Sequence, residues 1–368
     1  MRFLGKTAVA LAIILVLLAV ATVAFMQQKT FGKNPSGARL DRIRQSPNYR
    51  DGAFQNPVPT EVTLKGASFV KMTKDFFDKP ANTAPPKPLP SVKTDLRALS
   101  SEKPVIVWFG HSSYLIKSQN LNILVDPVFS GSASPVSFFA KSFAGSDVYQ
   151  VADLPPIDLL ILTHDHYDHL DYRTVLELKS KVKNIVTSLG VGAHLEHWGI
   201  DPAKITELDW GESKKMADSV ELTATPARHF SGRGLVRGKT LWSSFVVRLH
   251  GYRIFVGGDS GYGEHFKSIG GQHGPFDLAL LECGQYGVDW PYIHMKPEET
   301  ATAAQDLRAH VLMPVHWGKF ALAYHAWNEP IGKLVETAAE KELVLATPMI
   351  GQPVALGGEY PQQRWWEF

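Results

Sequence analysis

Hydrophobic and polar positions divide the chain into three regimes. Residues 7–26 carry no charge and are mostly Ala, Val, Leu and Ile. Such a run is long enough to cross a bilayer core as one helix, which needs about 20 residues. Arg2 and Lys6 precede it, so residues 1–26 read as an N-terminal transmembrane anchor. The alternative is a signal cut near the small residues 21–24, but the run exceeds the apolar core usual for cleaved signals. A short basic N-terminus that stays inside would place the rest of the chain on the periplasmic, extracytoplasmic face, or free in the periplasm if cut. Lys29, Lys33, Arg39, Arg42 and Arg44 pull the other way. Residues 27–100 are polar and proline-rich without a sustained period, which predicts an extended arm over the main domain, with one short helix near 69–77.

From residue 101 to 368 short apolar runs alternate with amphipathic ones, as in an α/β domain. Strands are predicted at 105–109, 113–117, 121–125, 157–163, 184–188, 205–208, 220–225, 241–249, 253–257, 276–282 and 311–315, with two short ones closing the chain. Helices are predicted at about 172–179, 192–198, 297–307 and 331–340. Residues 129–148, rich in Ser, Phe and Gly, form a loop of a length usual for a lid or binding loop. One internal similarity stands out. Ser112-Ser113-Tyr114-Leu115-Ile116-Lys117, followed by Ile123-Leu124-Val125, matches Ser243-Ser244-Phe245-Val246-Val247-Arg248, followed by Ile254-Phe255-Val256, at a constant offset of 131 residues. Each hairpin leads to an aspartate, Asp126 and Asp259, and the match predicts two pseudo-equivalent halves.

Composition narrows the function. A net charge of +2 without a dense basic stripe leaves no footprint for nucleic acid. The one cysteine, Cys283, excludes an internal disulfide and a cysteine-built zinc site.

The chemistry concentrates after the strand at 157–163, in His164-Asp165-His166-Tyr167-Asp168-His169-Leu170-Asp171. His164 and His166, two apart on extended backbone, point the same way and can share one ion. Asp168 and His169 follow and can serve a second. Imidazole plus carboxylate suits zinc, with iron and manganese fitting the same donors. Two ions need further ligands, and three residues stand at later strand ends: His229, Asp259 and His316. Taken singly, each of those histidines would read as structural. Gly257-Gly258 before Asp259 would let backbone approach an ion closely.

His164-Asp165-His166-Tyr167-Asp168-His169 resembles the HxHxDH signature of the metallo-β-lactamase superfamily of binuclear metallohydrolases. The resemblance implies an αββα sandwich of two mixed sheets flanked by helices. It also implies that His164, His166 and His229 hold one metal, that Asp168, His169 and His316 hold the other, and that Asp259 bridges both. Asp126 is a candidate partner for a ligating histidine, and His111 a candidate orienting group. The remaining histidines, among them His194 and His265, read as surface or supporting groups.

Flanking segments resemble the N-acyl-phosphatidylethanolamine-hydrolysing phospholipase D family over about residues 51–330. They include Trp108-Phe109-Gly110-His111, Asp126-Pro127-Val128-Phe129-Ser130, Leu154-Pro155-Pro156-Ile157-Asp158, Gly258-Asp259-Ser260-Gly261-Tyr262 and His316-Trp317-Gly318-Lys319-Phe320. That resemblance implies two zinc ions and a phospholipid or other phosphodiester substrate at a membrane. Cleavage would give phosphatidic acid and an N-acylethanolamine, with Asp168 and Asp259 orienting the attacking water. His294, in Tyr292-Ile293-His294-Met295, would serve the leaving alkoxide as a catalytic residue. Arg228 and Arg233 flank His229 and read as solvated surface arginines. Phe138, Phe139, Trp290 and Tyr292 are candidates for an acyl groove. The chain departs from animal members at Asp165, where asparagine is usual, and near 227–240, which bears on substrate choice. Competing readings are a lactonase or general phosphodiesterase on the same scaffold and a non-catalytic, metal-loaded envelope protein. Oligomeric state, a homodimer included, is left open.

Overall fold

The computed structural model describes residues 2–99, 102–217 and 219–368, with side chains for all of these except 2–10, 69, 76 and 217. The chain opens with helix α1 (Arg2–Met26). The predicted transmembrane helix is not borne out: among the described residues no helix is long and apolar enough to cross a membrane. Side chains 7–10 lie outside the description. The sandwich of the expected fold class does not depend on that helix.

The arm holds helix α2 (Gly37–Gln45), the two-residue strands β1 (Tyr49–Arg50) and β2 (Ala53–Phe54), and helix α3 (Phe69–Phe77). Helix α3 lies where the sequence placed it, with Ser68 capping its start through Lys71 N–H. Helix α2 was missed, since only Ile43 of its nine residues is buried. It docks through Leu40 and Ile43, packed with Phe54, Leu189 and Trp242, and through charge. Arg39 reaches Glu196 at 2.5 Å and Glu207 at 2.8 Å across the main domain.

Seven strands form the first sheet: β3 (Val105–Trp108), β4 (Tyr114–Ser118), β5 (Leu121–Val125), β6 (Ile157–Leu162), β7 (Val182–Ser188), β8 (Ile205–Leu208) and the late β15 (Pro353–Ala355). Their spatial order is β15-β3-β4-β5-β6-β7-β8. Helices α4 (Tyr172–Leu178) and α5 (Gly192–His197) cover its outer face. The second sheet contains β9 (Ser213–Ala217), β10 (Val220–Thr225), β11 (Ser244–Leu249), β12 (Tyr252–Val256), β13 (Leu278–Glu282) and β14 (Leu312–Val315), in the order β14-β13-β12-β11-β10-β9. Helices α6 (His265–His273), α7 (Pro297–Asp306) and α8 (Glu329–Glu340) pack on it. The result is the αββα sandwich expected. Strand β9 and helix α6 were not foreseen, because Ser213-Lys214-Lys215-Met216-Ala217 is a polar edge strand and α6 contains Gly270-Gly271. A single strand, rather than two, closes the chain.

Strand alternation builds the layers. Ile106, Ile116, Ile123 and Ile161 face the second sheet, while Val107, Leu115, Leu124 and Leu160 face α4 and α5. Burial on both faces explains why these strands read as unbroken apolar runs.

The internal repeat is structural. In the first hairpin Tyr114 pairs with Val125 and Ile116 with Ile123. In the second, 131 residues on, Phe245 pairs with Val256 and Val247 with Ile254. The parallel neighbour joins in the same register, Ile123 with Leu159 and Ile254 with Leu278. Ser113 Oγ donates to the Asp126 carbonyl as Ser244 Oγ donates to that of Gly257.

Candidate metal centre

Every residue of the centre leaves the C-terminal end of a strand. His164 to His169 follow β6, His229 follows β10, Asp259 follows β12 and His316 follows β14. His111 follows β3, and Glu282 is the last residue of β13. The two pseudo-equivalent sheets thus bring their strand ends to a common edge. His111 and His316 both take positive φ, 52° and 66°, an uncommon conformation for residues other than glycine. Their backbones account for it: His316 N–H donates to His111 O at 2.9 Å, and His111 N–H to Trp317 O at 2.8 Å. That exchange ties the two sheets together at the centre. The glycines before Asp259 serve packing rather than an ion, since a Cβ on Gly257 would lie 2.6 Å from the Leu280 carbonyl.

One cluster comprises His164, His166, His229 and Asp259. His166 Nδ1 lies 2.9 Å from His164 Nε2 and 3.2 Å from His229 Nε2. Asp259 Oδ2 is 3.8 Å from the first and 3.7 Å from the second of those Nε2 atoms. A second cluster comprises His111, Asp168, His169 and His316. His169 Nε2 stands 3.6 Å from Asp168 Oδ2 and 3.1 Å from Asp259 Oδ2, so Asp259 adjoins both clusters. Outer groups aim the rings. Asp126 Oδ2 takes His169 Nδ1 at 2.8 Å while its Oδ1 accepts Thr163 N–H at 2.8 Å. The Ile293 carbonyl takes His229 Nδ1 at 2.9 Å. These are the supporting bonds that ligating histidines require.

The donor set fits metal ions. His169 Nε2, His316 Nε2 and Asp259 Oδ1 are buried without a hydrogen-bond partner, an arrangement that costs free energy unless something else engages them. Burial, reinforced by neighbouring imidazoles, pushes His164, His229 and His316 well below the usual histidine range, which keeps their lone pairs free. His169 moves the opposite way. Asp259, Asp168 and Asp126 overcome its burial and raise it well above the ordinary value, so these carboxylates demand local positive charge. Burial also lifts Asp259 to about 6.

A third group joins Asp259 and His316 to Glu282 and His294. Sequence reading missed Glu282, although an acid ending an apolar strand, Leu280-Leu281-Glu282, was the available signal. Its Oε2 lies 2.6 Å from His294 Nδ1. Burial raises the Glu282 carboxyl and lowers the His294 imidazole. His294 stacks on His316 at 5.2 Å between ring centroids. A cavity of about 330 Å³ opens above, lined by His166, Asp168, Asp259, His294, Trp290 and Arg237, among others. An adjoining cleft of about 500 Å³ shares Arg237, Val62 and His229 with it and carries Arg50.

All seven sequence-predicted ligand residues therefore converge, with His294 beside them. Other expectations change. Arg233 is buried: its Nη1 donates to the carbonyls of Asp165 and Leu170, and its guanidinium lies 4.1 Å over the Tyr167 ring. Arg228 is half-buried, bonded to Thr60 and the Tyr262 carbonyl. Neither is a free surface cation. No residue of the 129–148 loop lines the cavity, so Phe138 and Phe139 stand apart from it, as does Tyr292. The arm reaches the cavity instead, through Val62 and Thr63. Asn56 clamps His229 by accepting its N–H at 3.1 Å and donating to its carbonyl at 2.7 Å.

Known proteins share this arrangement of sequence and fold. A profile described as the beta-lactamase superfamily domain matches residues 121–317. An uncharacterized protein of Mycobacterium tuberculosis is 39% identical over 327 residues, 88% of this chain and 88% of its own. N-acyl-phosphatidylethanolamine-hydrolyzing phospholipase D 1 of Caenorhabditis elegans is 32% identical over 249 residues, 64% of this chain and 70% of its own. A solved metallo hydrolase of Ignicoccus hospitalis aligns with a TM-score of 0.54 at 18% identity, covering 70% of this chain and 100% of its own, a likeness of fold alone.

Proposed function

Because the chain belongs to the metallo-β-lactamase superfamily, in its N-acyl-phosphatidylethanolamine-hydrolysing phospholipase D-like branch, we propose that it is a phospholipase D-type phosphodiesterase acting on N-acylated phosphatidylethanolamine. Its coarser character, a metal-dependent hydrolase of this fold, follows from the family and the candidate clusters. The observation that carries the finer reading is the position of His294 on the cavity wall, next to two His/Asp clusters that meet at Asp259.

In this reading His164, His166 and His229 would hold one zinc ion and Asp168, His169 and His316 the other, with Asp259, which adjoins both clusters, available to each. When bound, such a pair lowers the pKa of a shared water and neutralises charge on phosphoryl oxygens. The protein's own groups do the rest. Asp168, held by His111 Nε2 at 2.9 Å, and Asp259 orient the attacking water. His294 keeps Nδ1 on Glu282 and gives a proton from Nε2 to the departing ethanolamine oxygen. Arg237, exposed at the rim of both cavities, offers a cation to the phosphate.

The test is hydrolysis of micellar N-acyl-phosphatidylethanolamine against phosphatidylcholine by the zinc-loaded chain, with His166→Ala as the blank. Selective release of N-acylethanolamine, absent in the blank, is expected. Two metal ions per chain with neither lipid cleaved would leave the hydrolase and sink the lipid assignment. Soluble phosphodiesters and lactones would then be the substrates to assay.

A further inference from the structure

We infer that Glu282 is the positioning residue for His294: it holds the ring by Nδ1 so that Nε2 is the nitrogen presented to the scissile phosphodiester. The inference rests on the reading of His294 as proton donor given above. Glu282 ends β13 and its side chain is wholly buried. Both of its oxygens are committed. Oε1 accepts the N–H groups of Ser260 at 3.0 Å and Met295 at 3.1 Å, and Oε2 meets His294 Nδ1 at 2.6 Å. Ser260 follows Asp259 and Met295 follows His294, so one carboxylate joins the turn carrying Asp259 to the loop carrying His294. The ring is fixed in a second direction by lying flat on His316, with 19° between the planes.

These commitments also argue against Glu282 as a metal ligand, although its carboxylate lies within 4.8 Å of ligand atoms on Asp259 and His316. A ligating oxygen would have to leave His294 or two backbone donors. The side chain has no access to substrate, so it acts through the imidazole. In the reaction, water adds its hydroxyl to phosphorus as the bond from phosphorus to the ethanolamine oxygen breaks. The doubly protonated ring gives its Nε2 proton to that oxygen while its Nδ1 proton stays on the Glu282 carboxylate, and the proton released by the water returns to Nε2.

The test exploits leaving-group chemistry in the zinc-loaded full chain. An alkoxide needs a proton to depart, whereas p-nitrophenolate does not. Glu282→Gln keeps an oxygen for Ser260 and Met295 but turns an amide N–H toward His294. The expected result is a fall in kcat of about 100-fold on N-acyl-phosphatidylethanolamine, with KM unchanged, and near wild-type turnover of bis(p-nitrophenyl) phosphate. His294→Ala should show the same split, and the double variant should be no slower than His294→Ala alone. Glu282→Asp, which keeps the charge, should recover part of the loss, and it carries the test if the glutamine variant does not fold. Equal losses on both substrates, additive losses in the double variant, or a drop below two zinc ions per chain would overturn the inference. Wild-type enzyme that cleaves bis(p-nitrophenyl) phosphate but not the lipid would refute the lipid reading only. The same split is then read on glycerophosphoethanolamine.

Discussion

Replacing Asp165 with asparagine, the residue usual in the animal enzymes, changes no candidate ligand and alters one atom. The structure nevertheless gives that change a cost. Asp165 is buried between His164 and His166 and accepts three hydrogen bonds: Gly232 N–H at 2.7 Å, Thr240 Oγ1 at 2.8 Å and His194 Nε2 at 3.2 Å. His194 Nδ1 is already used as acceptor by Lys33 N–H at 3.0 Å. Burial lowers the His194 imidazole, so the ring is neutral and its one proton sits on Nε2. Asparagine keeps an oxygen for Gly232, and Thr240 can turn its hydroxyl to accept. Against His194, however, an amide N–H meets a ring N–H, and the other tautomer only moves the conflict to Lys33. One charge-assisted bond is lost and a buried donor is left unpaired, a cost of about 2–3 kcal/mol. An unfolding entropy of about 2.1 cal/mol/K per residue over 368 residues converts this to a fall in Tm of about 3 °C. Urea and thermal unfolding of the zinc-saturated proteins measure it. In a His194→Gln background, whose amide oxygen can accept from the introduced asparagine amide, most of the penalty should vanish. Asp165→Asn without measurable cost, or with the same cost in both backgrounds, would refute the hydrogen-bond argument.

Two further outcomes follow from the same geometry. Asp126→Asn weakens the bond to His169 Nδ1, and zinc affinity, read by chelator competition, should fall about 10- to 100-fold; unchanged affinity would mean that Asp126 serves only its turn. Arg39→Gln should loosen the arm by about 0.5–1 kcal/mol at pH 7, the scale of partly exposed pairs, seen as faster limited proteolysis within residues 33–60. The hydrogen bond to Arg39 depresses the Glu196 carboxyl below 4.5. Its contribution is therefore complete above the unfolded value and is lost as pH falls through the lower folded one. The difference between Arg39→Gln and wild type should shrink below about pH 4; a difference that persists there would count against the ion pair.

What the sequence by itself determined was the part written locally. Three histidines and Asp168 within six positions need no tertiary knowledge to read as a metal loop, and a strand buried on both faces announces itself as an apolar run. The 131-residue repeat was legible because two hairpins in the same register keep the same alternation. Tertiary structure decided whatever depends on partners distant in the chain. Glu282 became the anchor of His294 because β13 ends beside their loop, and His111 reached Asp168 through a backbone exchange between sheets. Arg233 looked like a surface cation until its guanidinium found the carbonyls of Asp165 and Leu170. Helix α2 offers the core only Leu40 and Ile43, and ion pairs at 2.5 and 2.8 Å hold the rest of it to the domain. Apolar periodicity records where a segment is buried. It carries no record of which polar atom will be satisfied by which other, and that pairing exists only after the strands have brought their ends to one edge.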